Sequence, residues 1–334
     1  MYISLRMKSI NPPPLSPYGV FSGTLFQYSS SPSLIAFESL PPSPPTSNDD
    51  DNFLHKSNNK KKCILIGGLS DGPIPTPYTK LLETECHNLG WALVQPVLSS
   101  SYLGFGHGSL TRDSAEIGQL LAYLMTHHDA KQFALVGHST GCQNSIHFLK
   151  YGQQELVDKV KVVALQAPVS DRETEEDHSE YIKQAQTMVE QQQGDEMMPR
   201  SAFWAPITAS RYLSLLDVNG EDDFFSSDLT DEQLCERLGH VGRKKELDLI
   251  AVYSGKDEYV PSFVDKEVLL RRMVKAMNNG VESVVEGDCV VEGGDTGGGN
   301  ARGLMLENAN HNLSESDGDG ARFVAAVGRL LSRW

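Results

Sequence analysis

The stretch FALVGHSTGCQNSIHFLKY, residues 133–151, changes texture at its middle. It opens as a short, continuous apolar run, the pattern of a strand buried on both faces. It closes with apolar residues at helical spacing. Between the two lies the corner Gly137-His138-Ser139-Thr140-Gly141. A serine that presents its hydroxyl from so tight a strand-to-helix turn needs small residues two positions before and two after it. A larger side chain at either place would collide with neighbouring backbone. Gly137 and Gly141 meet that demand, so the corner reads as G-x-S-x-G, the nucleophile elbow. The bland alternative is a glycine-lined turn with an idle serine.

Working outward, similar apolar runs recur at residues 63–67, 91–96, 162–168, 247–255 and 303–309. Helical patterns lie between them. Ile117, Leu120, Leu121 and Leu124 share one face, and so do Phe323, Val327, Leu330, Leu331 and Trp334. Strands alternating with helices imply an α/β fold with a mostly parallel central sheet and helices on both faces. Residues 170–246 break the alternation with helix and loop alone, and are expected to form a lid insertion. Within them Thr230 and Gln233 open a capping box and Gly239 closes the helix. Residues 1–22 read as a flexible N-terminal segment, 40–62 as a mobile linker and 280–300 as a glycine-rich excursion containing a hairpin. The main domain spans 23–334.

Composition narrows the function classes. The formal charge of −15 disfavours a nucleic-acid or anionic-membrane surface, and the lone basic run, Lys60-Lys61-Lys62, reads as solvated linker. Five scattered cysteines without a C-x-x-C pair suit a reducing compartment and offer no zinc framework. The chain has no apolar run of membrane-spanning length and no secretory h-region at residues 1–15, so the expected location is cytoplasmic. No cofactor and no metal are expected. The expected partner is a small-molecule ester, and oligomeric state is left open.

A serine hydroxyl needs a base, and the base needs an orienting acid. On this fold the order is serine, acid, histidine, each just past a strand. Asp257 follows the run at 247–255, and His311 follows the run at 303–309. Glu258 is the neighbouring rival to Asp257. His127, His128 and His147 lie on helical patterns, and the His138 ring should point away from the serine. Oxyanion donors are expected from the N–H of Thr140 and from Leu69 or Ser70 in the loop LIGGLSDG, residues 65–72. Neither phosphate-loop pattern follows that strand.

With these residues placed, the chain resembles the α/β-hydrolase superfamily, and within it the family that includes fungal esterases of fusarinine-type hydroxamate siderophores. The blocks carrying the resemblance are ILIGGLSDG, SSSYLGFGHGSLTRD, LVGHSTGCQ, LQAPVSDRE, DDFFSSDL, SGKDEYVP and NANHNLS. The resemblance implies a Ser139–Asp257–His311 triad acting on a carboxylic ester through an acyl-enzyme, with activity falling on the acid side as His311 protonates. It also implies an acid where this chain has Asn144, and a shorter loop than residues 280–300.

Three further residues are candidate substrate contacts. Tyr102 and Phe105 stand to line a pocket. Arg172 would hold a substrate carboxylate or hydroxamate, or else pair with an aspartate to anchor the lid. Glu221, Asp222, Asp223 and Asp228 lack the ladder of a calcium loop and read as a solvated helix entrance, with Phe224 and Phe225 packing inward. The alternative function is a small-molecule receptor or pseudoenzyme on a hydrolase scaffold, because fold alone does not fix function.

Overall fold

The structure, a computed structural model, describes residues 18–41, 59–218, 220–280, 285–287 and 301–334. Its frame is a nine-stranded sheet. The strands are β1 (Gly23–Ser30), β2 (Ser33–Ser39), β3 (Lys61–Ile66), β4 (Trp91–Val97), β5 (Gln132–His138), β6 (Val160–Gln166), β7 (Asp248–Ser254), β8 (Val285–Gly287) and β9 (Ala301–Leu306). Their spatial order is β1-β2-β4-β3-β5-β6-β7-β9-β8. From β4 to β8 every pairing is parallel, while β1–β2 and β2–β4 are antiparallel. The central strands are buried along nearly their whole length, as strands covered on both faces must be.

Nine α-helices accompany the sheet among the described residues: α1 (Thr79–Asn88), α2 (Leu110–His127), α3 (Thr140–Tyr151), α4 (Gln154–Val157), α5 (Ser179–Glu190), α6 (Ala209–Leu216), α7 (Asp231–Leu238), α8 (Lys266–Met277) and α9 (Asp317–Leu331). The stripe of α2 (Ile117, Leu120, Leu121 and Leu124) is wholly buried in one core, together with apolar residues of α3, α7 and α8. On the other face α1 and α9 close a second core, in which Phe323, Val327, Leu330 and Leu331 lie beside Trp91 and Leu82. Local sequence sets several boundaries. Ser109 caps α2 by accepting the Arg112 N–H, Asp265 caps α8, and α7 opens with the full Thr230/Gln233 capping box.

Two expectations are corrected. Lys61 and Lys62 open β3, and Lys62 is fully buried against Glu38, with Nζ 2.5 Å from Oε1. Val285–Gly287 runs parallel to β9; the hairpin expected within 280–300 lies outside the described residues, which leave out 281–284 and 288–300 as well as 1–17 and 42–58. The acidic block at 221–228 is not solvated at its centre, since Asp222 and Asp223 are 2% and 4% exposed.

The segment between β6 and β7 divides by its packing. Phe224, Phe225, Leu229, Leu234 and Leu238 belong to the main core. Helices α5 and α6 instead build a small cluster of their own from Ala185, Met198, Ile207, Tyr212, Leu215 and neighbours, and Leu69 packs against it.

Candidate active site

Ser139 sits between the last residue of β5 and the first of α3, with φ 52° and ψ −124°. A non-glycine residue held there carries strain on the order of 1–3 kcal/mol, which the surrounding backbone must impose. The glycines explain how. A Cβ at Gly137 would lie 2.3 Å from the carbonyl oxygen of Gly141, and one at Gly141 would lie 2.2 Å from that of Ile66. The strand, the helix start and the end of β3 thus touch backbone to backbone. A Cβ at Gly68 would meet the Ser139 Cβ at 2.9 Å. The loop after β3 therefore lies directly against the serine.

Asp257 and His311 are paired. The Nδ1 of His311 lies 2.8 and 3.0 Å from the two Asp257 carboxylate oxygens, and both residues are buried. Asp257 Oδ1 also accepts the N–H of Tyr259, and the Tyr259 ring packs edge-on to the His311 imidazole at 4.6 Å. Glu258 is used differently from its neighbour: its Oε2 accepts the backbone N–H of His311 at 2.9 Å.

Gln166, at the end of β6, ties the two halves of the site together. Its carbonyl accepts the Ser139 N–H at 3.0 Å, and its Nε2 donates to the His311 carbonyl at 2.8 Å. Its Oε1 lies 2.6 Å from His138 Nδ1 and accepts the Tyr78 hydroxyl at 3.1 Å. Burial, followed by repulsion from His311, pushes the His138 imidazole down to about 3, so it stays neutral. Sequence reasoning kept His138 from the base role but missed Gln166, whose only local signal is a glutamine directly after the apolar run at residues 162–165.

Of the expected oxyanion donors, Thr140 directly follows Ser139, and Leu69 and Ser70 directly follow Gly68, which lies against the serine. The N–H of Thr140 opens α3 and has no intrahelical acceptor. In the facing loop Ser70 has φ 68°, and the Gly68 N–H is spent on Asp71 Oδ2 at 2.7 Å. Burial raises the Asp71 carboxyl above the usual range.

The substrate candidates separate. Phe105 is buried and packs on Trp204 and Phe203 of the segment ahead of α6. Tyr102 is largely exposed, with φ 56° and its N–H bonded to the Asp71 carbonyl. Arg172 is taken up by Asp223 and Asp228, the anchoring arrangement. Arg211 on α6 was not singled out from sequence, yet it is buried, grips both oxygens of Asp222 at 2.7 Å and donates to the Phe105 carbonyl.

The model of a family described as "Protein of unknown function (DUF1749)" matches residues 46–297. The chain belongs to that family. It is 29% identical over 307 residues to the fusarinine C esterase sidJ of Aspergillus fumigatus, spanning 76% of this chain and 83% of that one. An esterase of Emericella nidulans is 31% identical over 270 residues, 63% of this chain and 72% of the other. Among solved structures, the siderophore hydrolase EstB of Aspergillus fumigatus superposes with a TM-score of 0.65 at 26% identity, covering 93% of this chain and 96% of that one. The fold is that of the α/β hydrolases, and the chain is an enzyme of that class among relatives named as esterases. No helix among the described residues is long and apolar enough to cross a membrane.

Proposed function

We propose that the chain hydrolyses carboxylic esters through an acyl-enzyme on Ser139, with His311 as base and Asp257 as its orienting acid. The observation that carries this reading is the buried Asp257–His311 pair, joined through Gln166 to a serine in strained elbow geometry. His311 takes the Ser139 proton as Oγ attacks the carbonyl carbon. The oxyanion rests on the N–H groups of Thr140 and of Leu69 or Ser70. The tetrahedral intermediate collapses, His311 protonates the departing alkoxide, and water then cleaves the acyl-enzyme by the same route.

Helices α5 and α6 act as the lid, held by Arg211–Asp222, and the packing of Leu69 on their cluster couples lid position to the oxyanion loop. Hydroxamate esters of the fusarinine type are the first substrate class to test, supported by the relatives' names. The experiment is mass analysis of products from such an ester, with Ser139→Ala as control. Acid and alcohol fragments that vanish in the variant support the reading; an intact ester in every arm, together with intact simple esters, overturns it.

A further inference from the structure

His138, the residue before the nucleophile, is joined to the base by a chain of buried hydrogen bonds, and the polarity of that chain follows from its ends. The His311 carbonyl can only accept, so the Gln166 atom 2.8 Å from it is the amide nitrogen. The amide oxygen then lies at the other end. There it accepts the Tyr78 hydroxyl at 3.1 Å and lies 2.6 Å from His138 Nδ1. An amide oxygen cannot donate, so the proton of this last contact belongs to His138. Because the His138 ring is uncharged, a proton on Nδ1 leaves Nε2 bare. His138, Tyr78, Gln166 and His311 are all buried.

The chain ends on the backbone of the base. Gln166 holds the His311 carbonyl and Glu258 the His311 N–H, so the peptide groups on both sides of the histidine are fixed. Glu258 and Asp257 both follow β7. Of the three partners only Gln166 belongs to the strand beside the serine's own: it is the register partner of His138 across β5 and β6, and its carbonyl takes the Ser139 N–H. The hydrogen-bonded link from the serine's strand to the base therefore runs through one side chain. That side chain is an amide with two possible orientations. Exchanging its oxygen and nitrogen would set an NH₂ against two donors and an oxygen against the His311 carbonyl. The donors His138 and Tyr78 decide between the two.

We infer that His138 is a positioning residue for the base, carrying its ring proton on Nδ1 and acting through Gln166. The positioning role rests on the ester-hydrolase reading; the tautomer does not. Nitrogen NMR of the full chain with isotope-labelled histidine reads the tautomer near neutral pH, with His138→Asn identifying the resonance. The expected result is a protonated Nδ1 and a bare Nε2, and the reverse overturns the inference whether or not any ester is cleaved. Steady-state kinetics on an ester that the wild type cleaves then tests the role. His138→Leu should lower kcat by about tenfold or more, and Gln166→Met, which cuts the link itself, by about 10². KM should stay within about twofold in both, because neither residue is placed to hold substrate. His138→Asn should recover most of the loss, since its amide nitrogen can stand where Nδ1 stands. Wild-type kcat in His138→Leu and Gln166→Met overturns the positioning role and leaves the hydrolase reading standing. If His138→Leu does not fold, the tautomer and Gln166→Met decide. If the wild type cleaves no ester, the hydrolase reading fails and the positioning role falls with it, while the tautomer still judges the hydrogen-bond chain.

Discussion

The carboxylate of Glu258 accepts the backbone N–H of His311 at 2.9 Å, while the residue beside it in sequence holds the ring of the same histidine. Two adjacent acids thus fix one histidine at two points, one setting where the residue sits and the other which way its imidazole faces.

That division sets their relative weights. Asp257→Asn should lower kcat by on the order of 10³–10⁴, because an amide at that place favours the wrong tautomer. Glu258→Gln keeps an acceptor for the His311 N–H and should lower it by about tenfold or less. Steady-state kinetics on one ester compares the two, and equal losses would contradict the assignment of the ring to Asp257.

Gly68→Ala tests the contact between the oxyanion loop and the serine. The added methyl would lie 2.9 Å from the Ser139 Cβ, which cannot swing aside, so the loop must move. The expected outcome is a fall in kcat of about 10² or more, the scale of one misplaced oxyanion donor. Circular dichroism should report an unchanged fold.

Asp171 gives a pH signature. Desolvation, with repulsion from Asp222 second, pushes the carboxyl of this half-buried residue up to about 7, and Gln143 Nε2 donates to it at 2.9 Å. The folded state therefore keeps a proton that the unfolded chain releases near pH 4. This contribution to stability is complete below about pH 4 and is lost as pH rises to about 7. Asp171→Asn has no such proton to lose. Its Tm should change less than that of wild type between those limits in a thermal-melt series.

Glu38 shows what the buried ion pair of the sheet edge is worth. It meets Lys62 Nζ at 2.5 Å and His128 Nδ1 at 2.6 Å, with Lys62 fully buried. Glu38→Gln strands the ammonium and should destabilise the fold by about 3–5 kcal/mol. Urea unfolding measures it.

The parallel centre of the sheet was legible because strands covered on both faces spell continuous apolar runs, and the elbow because its glycines answer backbone contacts visible as spacing. Strands β1 and β2 were not: β1 is exposed along much of its length, so no such run marks it. Asp257 and His311 could be placed by order along the chain, since each follows a strand end. Gln166, Asp171 and Arg211 could not, because their partners lie across the fold and nothing local announces them. The acidic block at 221–228 misled for the same reason. Charge normally means solvent, and here Arg211 and Arg172 arrive from elsewhere to meet it.

Covalent labelling with a fluorophosphonate, with the modified residue located by mass spectrometry, tests the central claim most directly. The expected result is a single adduct on Ser139, absent in Ser139→Ala and slowed by about 10³ or more in His311→Ala, where the base is gone. An unlabelled but folded protein, or labelling that ignores His311, would contradict a nucleophile activated by that pair.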